Sequence, residues 1–377
     1  MAVRLPRALL LGAALVVVLI AGCGSIAVER FGRLNPRLGE LLLVGFHGTS
    51  LQDNPSLDGL LCKTRVAGVI LFARNIVDAE QTKRLTGDMT ARALQCTGRA
   101  LLVAVDAEGG SVMRLGPRAG WTATLSHQDL GQAGDLAQTE LEARRIGGML
   151  RDVGINWNLA PVVDVGYNPA NPVIVGAGRS FGANPALVAV QARAYIAGMH
   201  AAGVLTAIKH FPGHGSSMGD SHDGFVDVTE TARPEVELLP YRVLLAEGLV
   251  DAVMTAHVYN RNLDTRVPAT LSHATIEGVL RKQLGWGGLV VSDDMRMGAI
   301  EQHYGSGDAA VRALRAGVDL VLIADDRLPG GRSASAETLK VVRRAVRRGR
   351  LPAARIDEAL GRIAVLRSRL TLPSAVR

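Results

Sequence analysis

Aromatic residues are scarce: three Trp, five Tyr and six Phe in 377 residues, 4% of the chain. A binder of long polymers ordinarily presents a platform of exposed rings, and this chain has few rings to offer. Cysteine is scarcer, at three residues. The 43 Gly and 15 Pro are scattered, so no low-complexity linker divides the chain. There is no short-period repeat. Charged residues are only 20% against 48% hydrophobic, which excludes a disordered or collagen-like chain and supplies a sizeable core. No Gly-rich phosphate loop follows the first apolar run, and there is neither an H-x-H strand end nor an H-E-x-x-H helix.

The formal charge of +7 raises nucleic acid or a membrane as partners, and the N-terminus narrows the choice. Arg4 and Arg7 precede the apolar run 8–20, followed by Ala21-Gly22-Cys23. This reads as a signal peptide over 1–22, and its apolar run is too short for a comfortable spanning helix, which needs about 20 residues. Ile20-Ala21-Gly22-Cys23 is similar to a bacterial lipobox, which implies lipid on Cys23, a tether over 23–37 and a lipid-anchored envelope protein. Removing two Arg leaves 40 basic and 35 acidic residues, +5. An exported chain of that charge is not expected to bind nucleic acid, so Arg343–Arg350 (RRAVRRGR) reads as a solvated helix face, one that anionic lipid would suit. Cys62 and Cys96 each lie five or six residues ahead of an apolar run, GVILF (68–72) and LLVAV (101–105). If those runs are adjacent parallel strands, both thiols sit at one end of the sheet; a disulfide and two buried free thiols both remain open.

Eight apolar runs alternate with helical stretches: 41–46, 68–72, 101–105, 155–165, 204–211, 250–258, 288–293 and 318–323. They are near-continuous and β-branched-rich, as strands buried on both faces are. Helices are expected at 78–94, 135–153, 185–202, 234–247 and 273–284, with Gly154, Gly203, Gly248 and Gly285 as stop signals. The alternation predicts a single-domain (β/α)8 barrel over 38–377 rather than a doubly wound open sheet. Active sites of such barrels gather at the C-terminal strand ends. There stand Asp106, Lys209-His210, His257 and Asp293-Asp294.

Four motifs carry chemistry. Lys209-His210-Phe211-Pro212-Gly213-His214-Gly215, followed by Asp220-Ser221-His222, has the Gly and Pro content of a loop. Its His210, His214, Asp220 and His222 are also competent metal ligands, which makes a metal-dependent hydrolase the rival reading. Ser292-Asp293-Asp294-Met295 closes the seventh run, with Asp293 pointing into the mouth and Asp294 suited to cap the next helix. Asp106-Ala107-Glu108-Gly109-Gly110 precedes Arg114. Gly178-Arg179-Ser180-Phe181-Gly182 is the fourth, and alone its Arg reads as a surface residue.

Together these motifs resemble the family 3 glycoside hydrolases, in the branch of single-domain bacterial β-N-acetylglucosaminidases of peptidoglycan turnover, over about 38–370. The resemblance implies Asp293 as nucleophile, His222 paired with Asp220 as acid/base, and Asp106, Arg114, Arg179, Lys209 and His210 as the binders of a terminal N-acetylglucosamine. His257 is a weaker candidate for the pocket wall. No cofactor and no metal is implied; the partners are carbohydrate and membrane. Ser111, where the family often has Arg, and Arg296 depart from the pattern, and both are expected to bear on what binds beyond the terminal sugar. Imidazole serves as acid and base near neutrality without the burial that a carboxylic acid donor needs, and it repels phosphate less, so an acceptor other than water stays open. Gly213, Gly215 and Gly219 suggest a mobile flap. A non-catalytic sugar-binding lipoprotein is the remaining alternative.

Overall fold

The structure, a computed structural model, describes residues 32–52 and 54–370. The signal peptide 1–22, Cys23 and most of the tether fall outside the described residues. Among those described, no helix is long and apolar enough to cross a membrane.

Each of the eight apolar runs contains a barrel strand. They are β1 (Leu42–Gly45), β2 (Gly68–Leu71), β3 (Leu102–Val105), β4 (Trp157–Asn158), β5 (in two pieces, Leu205–Thr206 and Ile208–Phe211), β6 (Ala252–Thr255), β7 (Leu289–Val291) and β8 (Val321–Ile323). Neighbouring staves pair in parallel, with Leu43 opposite Gly68, Trp157 opposite Leu205 and Val253 opposite Ile208. β8 pairs with β1 through Leu42 opposite Val321, and a bridge from Val291 to Leu320 joins it to β7, so the sheet closes on itself. This closed ring of parallel staves is the expected barrel, and the open sheet is excluded.

The helices that follow the staves are α1 (Pro55–Gly59, continued as a wider turn over Leu60–Thr64), α2 (Ala79–Thr97), α3 (Leu136–Asp152), α4 (Pro185–Ala201), α5 (Leu239–Ala246), α6 (Ala274–Gln283), α7 (Ser306–Ala316) and α8 (Ala334–Arg347). Two expected helices differ in detail. The stretch 234–247 breaks at Leu238 into Pro234–Glu237 and α5, and α6 is wound more widely than an α-helix. Asp78 and Asn184 accept hydrogen bonds from the first free backbone N–H groups of α2 and α4, which fixes where those helices start. Arg343–Arg350 ends α8 and is largely exposed, as its composition predicts.

The main apolar core runs from Leu34 to Leu366, and a small second cluster gathers Val226, Val228, Ala256, Val258 and Ala269. A last helix, α9 (Ala353–Ser368), lies across the N-terminal end of the barrel. Its Arg355 and Arg362 reach Asp319 ahead of β8, and its Arg367 reaches Glu40 and the Ala67 carbonyl ahead of β1 and β2. The bottom is therefore plugged and the opposite mouth is left open. Cys62 and Cys96 are joined in a disulfide, Cα–Cα 5.2 Å. Each lies six residues ahead of the paired positions Gly68 and Leu102, so equal offsets in register-matched strands bring them together.

Candidate active site

Asp106 leaves β3 and is followed by a hairpin, Ala107–Gly109 against Val112–Met113, turned by Gly109 and Gly110 at φ +100° and +56°. Two residues apart on extended backbone, Asp106 and Glu108 face the same way. Glu108 is buried and accepts from both Nε and Nη2 of Arg179 at 2.8 Å. Lys209, from β5, lies 2.8 Å from Asp106 and 2.7 Å from Glu108, and Arg114 stands 3.9 Å from Asp106. Burial alone would raise the Glu108 pKa, yet Arg179 and Lys209 hold it well below the ordinary carboxylate value. Burial likewise opposes the charge on Lys209, and Asp106 and Glu108 overcome it, so its pKa is raised. Arg179 is thus a buried, bidentate member of the site and not the surface residue that its loop alone suggests.

His210, next to Lys209, is oriented by a residue outside the four motifs. Asp164, at the end of the fourth apolar run, is fully buried and lies 2.7 Å from His210 Nδ1, and it also accepts the His214 N–H at 2.8 Å. Nδ1–H therefore donates to Asp164, and Nε2 faces the mouth, 3.4 Å from Arg179. Glu108 lies inside a motif, but the resemblance assigns it no role of its own. Both residues carry a signal: an acid at, or a few residues beyond, the end of an apolar run.

At the end of β7, Asp293 accepts the Asp294 N–H at 2.8 Å. Burial would push its carboxyl up, but His210, His257 and His222, with that N–H, hold it at about 2. Asp294 goes the other way: burial raises it to about 6 even though its Oδ1 accepts the N–H groups of Ala324 and Arg296. It does not cap the following helix, Gly298–Tyr304, whose first residues receive no side-chain cap. His257 also departs from expectation. It is buried behind the mouth, between Thr270 Oγ1 at 2.9 Å and the Asp294 carbonyl at 2.9 Å, and is not part of the cavity wall.

The loop after β5 carries His222, 59% exposed at the side chain, with Nδ1 2.6 Å from Asp220 Oδ1. The same carboxylate accepts the His222 backbone N–H at 2.9 Å, so Nδ1–H is fixed toward Asp220 and Nε2 is left for the cavity. Burial of Asp220 is outweighed by these His222 contacts, which lower its pKa. Two of the three glycines read as hinges have packing reasons instead. A Cβ on Gly215 would stand 2.0 Å from the Val165 carbonyl oxygen, and one on Gly213 would stand 2.8 Å from the Glu237 side chain.

These groups surround one cavity of about 320 Å³, with Asp106, Glu108, Arg114, Arg179, Lys209, His210, His222, Asp293 and Asp294 as its polar walls and Phe72, Met254 and Met297 among its apolar ones. The volume lies at the low end of small-molecule sites, about 300–1,000 Å³. The histidines do not converge on a metal position: His210 turns to Asp164, His214 to Ser217 and Ser221, and His222 to Asp220. Among the described residues, no three His, Cys, Asp or Glu are grouped as ligands. The two departures are structural ties. Ser111 donates to the Ala177 carbonyl, and Arg296 Nη1 donates to the carbonyls of Asp325 and Arg327.

A closed parallel barrel with ion-paired acids and imidazoles gathered at its open end is an enzyme-type site at the place where such barrels carry their chemistry. Residues 33–366 match the family "Glycosyl hydrolase family 3 N terminal domain", and the chain belongs to that family. It is 34% identical to "Beta-hexosaminidase LpqI" of Mycobacterium tuberculosis over 89% of this chain and 83% of that one. It is 36% identical to "Beta-hexosaminidase A" of Pseudoalteromonas piscicida, of whose length it spans only 47%. Among solved structures, a family 3 β-N-acetylglucosaminidase from Paenibacillus is 38% identical at TM-score 0.83, over 91% of this chain and 65% of that one. The β-N-acetylhexosaminidase of Beutenbergia cavernae is 32% identical at TM-score 0.81, over 89% of this chain and 98% of that one.

Proposed function

We propose that this protein is a retaining exo-β-N-acetylglucosaminidase that removes terminal N-acetylglucosamine from peptidoglycan-derived fragments. The observation that carries the reading is the pairing in one sugar-sized cavity of an ionised carboxylate, Asp293, with an imidazole, His222, whose Nε2 is free. The Asp293 carboxylate attacks the anomeric carbon while the bond to the leaving oxygen breaks, and His222 Nε2–H gives that oxygen its proton. Neutral Nε2 then takes a proton from water as the water attacks the same carbon and frees Asp293. Asp220 holds the tautomer through both steps. Lys209, Arg179, Asp106 and His210 supply the hydrogen bonds that fix one terminal sugar, which favours exo action. Residues 1–22 and Cys23 are read as a lipoprotein signal, placing the enzyme on the bacterial envelope; globomycin or Cys23→Ala should release it, and an unchanged membrane fraction would refute the anchor.

The test of activity is release of p-nitrophenol from the aryl β-N-acetylglucosaminide, with a 5-fluoro N-acetylglucosaminyl donor trapping a covalent adduct on Asp293, read by mass spectrometry. Product analysis on cell-wall fragments with and without phosphate identifies the acceptor. Turnover of neither substrate by the wild-type protein would end the proposal.

A further inference from the structure

Phe225 is the one exposed Phe, Tyr or Trp among the described residues, at 54%. It lies three residues beyond His222, on the same loop. Its ring centroid is 5.3 Å from Tyr259 and 6.1 Å from His303, the latter exposed as well. The three rings come from three segments that each follow a stave's C-terminal end. Phe225 follows β5, Tyr259 follows β6 in a short ribbon paired with Val226–Asp227, and His303 follows β7. The same three segments carry His222, His257 and Asp293. They are tied together beside the proton donor: the Gly298 N–H donates to the His222 carbonyl, and Gln302 Nε2 donates to the Asp223 carbonyl. The shelf is thus built onto the mouth, on the flank that holds His222.

Chemistry identifies what belongs there. A proton donor must reach the leaving-group oxygen, so the leaving group lies on the donor's side of the scissile bond. The C–H face of a pyranose packs flat on an aromatic ring; Phe72, the one Phe, Tyr or Trp in the cavity wall, already has the guanidiniums of Arg74 and Arg114 over its ring at 4.4 and 5.9 Å, which leaves Phe225 as the exposed ring open to a second sugar. We propose that Phe225, backed by Tyr259 and His303, is the platform for the leaving-group sugar ring, and so a specificity-determining residue for the disaccharide linkage. The inference rests on the glycosidase reading above. The low aromatic content is no obstacle to it: a single exposed ring is enough for a single leaving residue.

The test compares two donors on the full chain, N,N′-diacetylchitobiose, whose leaving group is a sugar ring, and β-N-acetylglucosaminyl fluoride, whose leaving group has none. Phe225→Ala should lower kcat/KM for chitobiose about three- to tenfold, the range of one aromatic contact, and leave the fluoride within about twofold. Phe225→Trp should restore chitobiose turnover. Phe225→Leu, which keeps apolar bulk without a flat face, should behave like the Ala variant and covers the case in which Ala disturbs folding. An equal fall on both donors, or no fall on chitobiose, overturns the platform. Failure of the glycosidase reading is distinct, because the wild-type protein would then cleave neither donor.

Discussion

At the scale of single residues, the division of labour follows from how each carboxyl is surrounded. Asp293 is held at about 2, so it is ionised at every pH near neutrality, and its titration should not limit the acid side of the pH–rate profile. Asp293→Asn removes the attacking charge while keeping the shape and should lower kcat/KM by more than about 10³-fold, with folding unchanged by circular dichroism. Asp220→Ala leaves the imidazole but frees its tautomer. The expected loss is about tenfold or more for a sugar leaving group and much less for a good phenol leaving group, which needs little protonation; equal losses on both would show that Asp220 acts only in folding. Asp293, Asp220 and His222 are visible in the motifs. Asp164 is not: its one local mark is an acid at the end of an apolar run, and its work, holding His210 and the His214 N–H from behind, is done across 46 and 50 residues of chain.

At the scale of elements, the flap is seated by packing under it. Gly215 presses on the Val165 carbonyl and Gly213 on Glu237, so Gly215→Ala should cost stability and activity together. Glu237 is buried, and desolvation raises its pKa from 4.5 to about 7. The folded chain then keeps a proton that the unfolded chain has released between those values. Its contribution to stability is complete below about pH 4.5 and falls as pH rises to about 7, by roughly 3 kcal/mol at most. Glu237→Gln should therefore match the wild type near pH 5 and be the more stable at pH 8 in urea unfolding; a constant difference at the two pH values would refute this. The eight staves were legible because strands buried on both faces leave unbroken apolar runs. The two-piece β5 and the ribbon between Val226–Asp227 and Val258–Tyr259 were not, since tertiary contacts set them and their residues carry no periodicity of their own; the break at Leu238 has a local mark, Pro240, which has no N–H with which to continue the helix.

At the scale of the molecule, the two ends of the barrel do different work. The mouth gathers the chemistry, and the opposite end is locked by buried acids among arginines. Asp319, fully buried ahead of β8, accepts from Arg281 at 2.8 Å, Arg362 at 3.0 Å, Arg355, and the Val290 N–H at 2.9 Å, and so ties α6 and α9 to the sheet. Removing one partner of a buried ionic cluster strands the others, at a cost of about 3–5 kcal/mol. Asp319→Ala should accordingly lower the melting temperature by roughly 4–7 °C. No member of this cluster lines the cavity, so kcat/KM per folded molecule at 25 °C should stay within about twofold of the wild type. Asp293→Asn is expected to do the reverse, abolishing turnover with little change in melting temperature. A fall in kcat/KM for Asp319→Ala at a temperature where it is fully folded would mean that the bottom of the barrel sets the geometry of the mouth, and the separation of stability from catalysis along the barrel axis would not hold.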